Sequence, residues 1–152
     1  MANIETSLKE AMTIEGAIGV ALVDYTSGLT LGVMGGGATM DMNIAAAGNT
    51  DVVRAKVRTL EMLGLNDNIE DVLITLDTQY HLIRLLQGRR GGEALFLYLS
   101  LSKNRANLGL ARHQLRKIDR VRRGSRCPWP LGVIDLLFVV IHSGTSGAQR
   151  PS

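Results

Sequence analysis

Residues 72–101 decide the fold: Val72-Leu73-Ile74-Thr75-Leu76, then Asp77-Thr78-Gln79, then Tyr80-His81-Leu82-Ile83-Arg84-Leu85-Leu86, a Gly-rich loop, and Ala94-Leu95-Phe96-Leu97-Tyr98-Leu99-Ser100-Leu101. The three runs are rich in aliphatic and aromatic residues and are bounded by turn formers, which is the pattern of strands. Hairpin-length links make consecutive strands antiparallel neighbours. The loop Gln87-Gly88-Arg89-Arg90-Gly91-Gly92 reads as a wide hairpin connection with Arg89 and Arg90 at its tip.

Upstream, Asp41 is placed to cap a helix that runs to about Leu63, with Gly64 just past its end. Its first half, Ile44-Ala45-Ala46-Ala47-Gly48, is nearly bare of side chains. Its second half sets Val52, Val53, Val57, Leu60 and Leu63 among charged residues, so its apolar positions cover more than one stripe and predict two neighbours. Ahead of it, Ala17–Val23 and Leu29–Val33 flank the turn sequence Asp24-Tyr25-Thr26-Ser27-Gly28 and predict a hairpin. Ile4, Leu8, Ala11 and Met12 share one face of a first helix, with Asn3 placed to cap it and Gly16 to end it. Downstream, a last helix starts near Asn104 and aligns Leu108, Ala111, Leu115 and Ile118, with Arg105, Arg112, His113, Arg116 and Lys117 opposite. The order α-β-β-α-β-β-β-α predicts an α+β fold, a five-stranded antiparallel sheet sandwiched by helices.

The 152 residues suit one domain, placed at 1–119, followed by a separate tail at 120–152. With 45% hydrophobic and 20% charged residues, wholesale disorder is excluded. No apolar run reaches the roughly 18 residues of a membrane span, and the start lacks the basic and apolar blocks of a secretion signal. Cys127 is the only cysteine, so no intrachain disulfide forms, and the expected location is cytoplasmic. The excess of positive charge sits in the tail, where residues 120–152 carry a net +4 against −1 for residues 1–119. The domain is therefore near neutral, and with aromatics at only 4% it lacks a base-stacking platform, so no nucleic-acid partner is expected. The tail passes from Arg120, Arg122, Arg123 and Arg126 through Pro128-Trp129-Pro130 into the apolar run Leu131–Ile141. That run reads as a segment for a groove or a membrane surface, or as an unselected extension; membrane contact is expected only if the tail is functional.

No catalytic constellation stands out. Ser27, Asp24 and His81 form a triad only on paper, without a nucleophile elbow. The dispersed His81, His113 and His142 lack metal-ligand spacing. Gly35-Gly36-Gly37 ahead of a helix lacks the Lys of a phosphate loop, and Asp41 would repel a phosphate there, so it reads as a flexible connection. The chain is expected to be non-enzymatic, with no cofactor or metal. Ala45-Ala46-Ala47-Gly48 allows close approach both to the chain's own sheet and to a second copy. Val72–Leu76, with Thr75 its one polar residue, would be an aggregation liability at a sheet edge unless paired, and pairing with its own copy is the economical solution.

The ordered set of strings resembles the roadblock/dynein-light-chain domain family, in particular its small bacterial members. The strings are Gly19-Val20-Ala21-Leu22-Val23-Asp24 with Ser27-Gly28, the Ala-rich helix ending Leu60-Glu61-Met62-Leu63-Gly64, Asp71–Leu76 followed by Tyr80–Arg84, and Leu95–Leu99 leading into Asn104–Leu108. The resemblance covers about residues 4–119. It implies the long helix on one sheet face, the terminal helices on the other, and a homodimer through the middle helices and third strands. The interface would take Ala45, Ala46, Gly48, Val52, Val53, Val72, Leu73, Ile74 and Thr75. It further implies a platform that regulates or scaffolds a small Ras-like GTPase in bacterial signalling or polarity, with a sensor kinase from the same operon as a further partner. Arg54, Lys56, Arg58 and Glu61, the charged residues of the long helix, are the expected partner contacts. A small-ligand sensory module and a purely structural dimeric adaptor are the competing readings.

Overall fold

The computed structural model describes residues 2–87 and 94–124. The elements follow the expected order: α1 (Ala2–Met12), β1 (Ala17–Asp24), β2 (Thr30–Gly35), α2 (Met42–Met62), β3 (Asp71–Thr75), β4 (Gln79–Gln87), β5 (Ala94–Ser102) and α3 (Leu108–Gly124). The loop tip with Arg89 and Arg90, and everything after Gly124, lie outside the described residues.

The strands form one antiparallel sheet in the order β2-β1-β5-β4-β3. Thus β5 is central, and β3 and β2 are its edges. Alternation along each strand divides the core in two. Val20, Leu22, Leu82, Leu97, Leu99 and Leu101 face α1 and α3, meeting Leu8, Ala11, Ala111, Leu115 and Ile118. Ala21, Val23, Ile83, Phe96 and Tyr98 face α2, meeting Met42, Ala46 and Val53. The long helix therefore lies on one face and the terminal helices on the other.

Local signals hold, with shifts at the ends of the first and last helices. Asp41 caps α2 by accepting from the backbone N–H of Asn43 and Ile44, and Gly64, at φ +67°, closes it with bonds to Glu61 and, through Leu65, to Leu60. The first helix begins at Ala2, which places Asn3 inside it, and it ends at Met12, ahead of Gly16. The last helix begins at Leu108, not near Asn104, because residues 103–106 turn the chain off β5, with Ala106 N–H bonding Ser102 C=O at 2.9 Å. Asn107 then caps it, its Oδ1 accepting from Leu110 N–H at 3.0 Å. The same helix runs through Gly124, so Arg120 and Arg122 continue α3 instead of starting a separate tail.

The triple glycine is not a loose tether. Gly35, Gly36 and Gly37 all take positive φ, and a Cβ on Gly36 would collide with the Met40 carbonyl oxygen and the Met42 side chain. The turn needs three left-handed residues in succession, which only glycine adopts without strain.

Charged groups clamp α3 to the β3 edge. Arg84 of β4 is buried, with its Nη2 3.8 Å from the Asp119 carboxylate and its Nη1 3.8 Å from Asp71. Arg112 grips Asp71 through both Nε and Nη2, at 3.1 and 2.9 Å, and Arg116 reaches Glu70 at 3.4 Å. Asp71 stands opposite Arg84 in the strand register, so edge strand and helix share one cluster. Removing one partner of a buried pair leaves the other charge desolvated. Asp119→Ala is expected to lower stability by about 3 kcal/mol in a denaturant titration. Pairing Asp119→Leu with Arg84→Met should recover most of that loss, and a single variant as stable as the parent would show that the pair does not hold α3.

Candidate functional site

The long helix is seated off-centre, and this generates the exposed surfaces. Met42, Ala46, Thr50 and Val53 are its buried residues. They fix it over β1 and β5, where Gly19 leaves room for the Met42 sulfur. At the far end of β1, Arg54 Nε donates to Tyr25 C=O at 2.6 Å and its Nη2 to Thr26 C=O at 2.9 Å. The helix is thus tied to the β1–β2 turn, and its very end stands clear of the core: Met62 is 81% exposed and Leu63, just past it, 64%.

On the β3 side, Val52, Ala55, Lys56 and Thr59 face Ile69 and Val72 across an open cleft of about 550 Å³. Ile44, Gly48, Val52, Ala55 and Thr59 recur every three or four residues, which puts them along one outward stripe. Ile44 is 72% exposed, and a Cβ on Gly48 would meet no atom within 4 Å. Among the described residues, strand β3 has β4 on one side only. Its Val72 and Ile74 lie opposite Ile83 and His81, on the α2 side of the sheet, while Leu73 faces the other way and is 38% exposed. A small-residue helix stripe and an unpaired apolar strand therefore border the same cleft.

The opposite flank of α2 is different. Arg58 follows Arg54 by one turn and Glu61 lies one turn further, both exposed. There β2 shows Leu31 and Val33, which alternate with Gly32 and Met34; a Cβ on Gly32 would press on Leu8 of α1. Together with Leu29 in the turn, they make a partly apolar border along β2.

Several expected site residues are brought to these surfaces, and others are not. Ala45, Gly48, Val52, Val72, Leu73, Ile74 and Thr75 keep surface to offer a second copy. Ala46 and Val53 do not: both have no exposed area, because they carry the contact of α2 with its own sheet. Of the expected partner contacts, Lys56 lines the β3-side cleft, Arg58 and Glu61 are exposed, and Arg54 is engaged in holding the turn. The Leu31–Val33 border was missed in the sequence, although glycine at the alternate position of a strand signals a covered face there and an open one opposite. Ser27 lies in the β1–β2 turn and His81 in β4, and they form no triad: Ser27 Oγ accepts from Leu29 N–H, whereas His81 Nε2 lies 2.9 Å from Gln79 Oε1. Among the described residues no group of three His, Cys, Asp or Glu is placed to hold a metal ion, and no helix is long and apolar enough to cross a membrane.

No family model and none of the curated proteins matches the sequence. The fold is shared with solved structures. MglB of Myxococcus xanthus superposes with a TM-score of 0.69 at 17% identity, over 81% of this chain and 86% of that one. A Roadblock/LC7 domain from Streptomyces avermitilis gives 0.64 at 12% identity, over 78% and 93%. The gliding protein MglB of Thermus thermophilus gives 0.65 at 15% identity, over 80% and 87%. The chain has a roadblock-like fold.

His81 links this region to pH. It lies opposite Ile74 of the edge strand, packs edge-on against Tyr98 at 5.4 Å, and burial lowers its pKa from the ordinary 6.5. The folded chain favours the neutral ring, so the unfolded chain binds the proton more readily. The contribution of neutral His81 is present above the unfolded pKa and is lost as pH falls below it. The denaturation midpoint should drop between about pH 7 and about pH 5, and His81→Gln should flatten that slope. An unchanged slope in the variant would assign the pH dependence elsewhere.

Proposed function

We propose that this chain is a non-enzymatic homodimeric platform that binds a small Ras-like GTPase and regulates or scaffolds it. The observation that carries the reading is the coincidence, at one cleft, of an unpaired apolar edge strand with a helix stripe of small residues. Each feature alone is an unsatisfied surface. A two-fold axis beside β3 satisfies both at once: β3 pairs with its own copy, and the α2 stripes meet above it. An isologous contact of this kind makes every residue serve twice. The fold shared with MglB and with a Roadblock/LC7 domain supports the same reading.

In this arrangement Gly48, Val52 and Ala55 allow the helices to approach, and Val72 and Ile74 extend the shared sheet face. The β2-side flanks remain open at both ends of the dimer. Leu31 and Val33 supply apolar area there, and Arg58 and Glu61 supply charge on the exposed last turns of α2, which is the mixture that protein interfaces use at rim and centre. Binding of a GTPase on this flank would act by positioning, because no side chain of the flank is singled out as a catalytic group. The 550 Å³ cleft favours one rival, a small-ligand sensor; in the dimer that cleft is filled by the second helix.

Light scattering should return twice the 16.4 kDa chain mass. Gly48→Arg should give a folded monomer. A Cβ at this exposed position meets no atom within 4 Å in the single chain, and the change raises helix propensity by nearly 1 kcal/mol. A dimer that survives Gly48→Arg would move the interface elsewhere. Arg58→Glu should keep the dimer but weaken titrated binding of a GTPase encoded beside it by about tenfold, the effect of losing one good charged contact. Unchanged affinity would remove Arg58 from the site.

A further inference from the structure

Strand β3, the edge on which the homodimer rests, is fastened differently at its two ends. It spans Asp71–Thr75, and its ladder runs to β4. Past Thr75 the chain turns back at once. Leu76 N–H donates to Gln79 C=O at 2.8 Å, and Lys103 Nζ reaches the Leu76 carbonyl at 3.4 Å. The start of the strand has no such turn. Residues 65–70 form neither helix nor strand, and all but Ile69 are exposed. On the α2 side, the open cleft lies between Val72 and the helix residues Val52 and Ala55. A short edge strand entered from such a segment is where a sheet frays first.

The start is held by ionic contacts from α3. Asp71 opens the strand, and its side chain is only 10% exposed. Its carboxylate receives the Arg112 guanidinium as a fork, with Nε donating to Oδ2 at 3.1 Å and Nη2 to Oδ1 at 2.9 Å. Paired bonds of this kind fix direction as well as distance. Glu70, one residue earlier, takes Arg116 at 3.4 Å and Arg84 at 3.7 Å, and its carbonyl accepts from Leu85 N–H at 3.1 Å. Arg112 and Arg116 are one turn apart on α3, and Ala111 and Leu115 beside them are buried in the core. The fork is therefore mounted on a helix that packing holds in place. Asp71 stands opposite Arg84, on the sheet face of α3, whereas the small-residue stripe belongs to α2 on the other face.

We infer, on the homodimer reading, that Arg112 is a positioning residue for self-association: by gripping Asp71 from α3 it keeps β3 extended to its first residue, ready to pair with a second copy. The effect is one of preorganisation. A frayed edge must be ordered before it can pair, and that cost is subtracted from the affinity. Both copies must be ready, so the loss enters twice. If release of the clamp leaves about a third of the chains competent, the dimer Kd rises about ninefold.

The full chain is measured by sedimentation equilibrium as the parent, as Arg112→Met, as Asp71→Asn and with the two substitutions combined. Each single variant should raise the dimer Kd about tenfold. The combination should do no more than either alone, because both remove the same clamp. In the monomeric Gly48→Arg background, Arg112→Met should quicken amide hydrogen exchange in β3 and leave β1 and β5 as protected as before. An unchanged Kd, in a parent dimer that Gly48→Arg breaks, overturns the role of Arg112 alone. Additive losses also overturn it, since they would put Arg112 in direct contact with the partner. Faster exchange across the whole sheet does the same, because it marks a general loss of stability. A monomeric parent, or a dimer that survives Gly48→Arg, removes the proposed interface and the role of Arg112 with it.

Discussion

The seating of α2 on β1 is the constraint from which the remaining surfaces follow. Gly19 has no side chain, so the Met42 sulfur sits against the strand, and Ala46 and Val53 lie flush on the sheet. Arg54 fixes the other end by gripping two carbonyls of the β1–β2 turn. Held at these points, one helix covers only part of a five-stranded sheet. It leaves the β3 end uncovered and β2 only partly covered, and the outward part of the helix is its small-residue stripe. The two deficits face one another because both arise from the same displacement.

The opposite sheet face is completed by other means. Two helices share it, and the second is locked by ionic contacts in addition to apolar ones. Arg84 occupies an inward position of β4, between Leu82 and Leu86, where a leucine would ordinarily stand. Its charge is tolerated because Asp119 descends from α3 and Asp71 stands opposite in the register. Such a cluster contributes less to stability than its geometry suggests, since desolvation offsets most of the attraction. Its effect is on position. It sets the rotation of α3 about its axis, and that rotation decides which residues meet solvent.

Most of the architecture was legible in the sequence, and the reason is periodicity. Runs such as Leu95–Leu99 and the caps Asp41 and Gly64 mark elements through local rules that tertiary packing does not override. The site was legible only in outline. Ala45, Ala46, Val52 and Val53 look alike in the sequence, yet a helix turns about 100° per residue and a small rotation decides which of them is core. Arg54 looked like any charged residue of an exposed helix, because its partners are some 28 and 29 residues away in the chain. Arg84 passed as one more member of an alternating strand, since nothing local announces a carboxylate arriving from a helix 35 positions later. Leu31 and Val33 were read simply as strand residues, because openness on one side depends on what fails to cover it.

The strand order carries one more consequence, for how the chain assembles. β1 and β2 form one local hairpin, and β3, β4 and β5 form one local meander. The two blocks are joined through a single long-range pairing, in which Val20 meets Leu99 and Val23 meets Phe96. Local pairings close quickly, whereas a contact spanning more than seventy residues waits on a loop closure of matching length. During synthesis the first hairpin therefore exposes one open side until β5 has left the ribosome. In its pairing the chain is two local blocks joined along the β1–β5 seam, with α2 as the connection between them, and that seam is the contact with the longest loop to close.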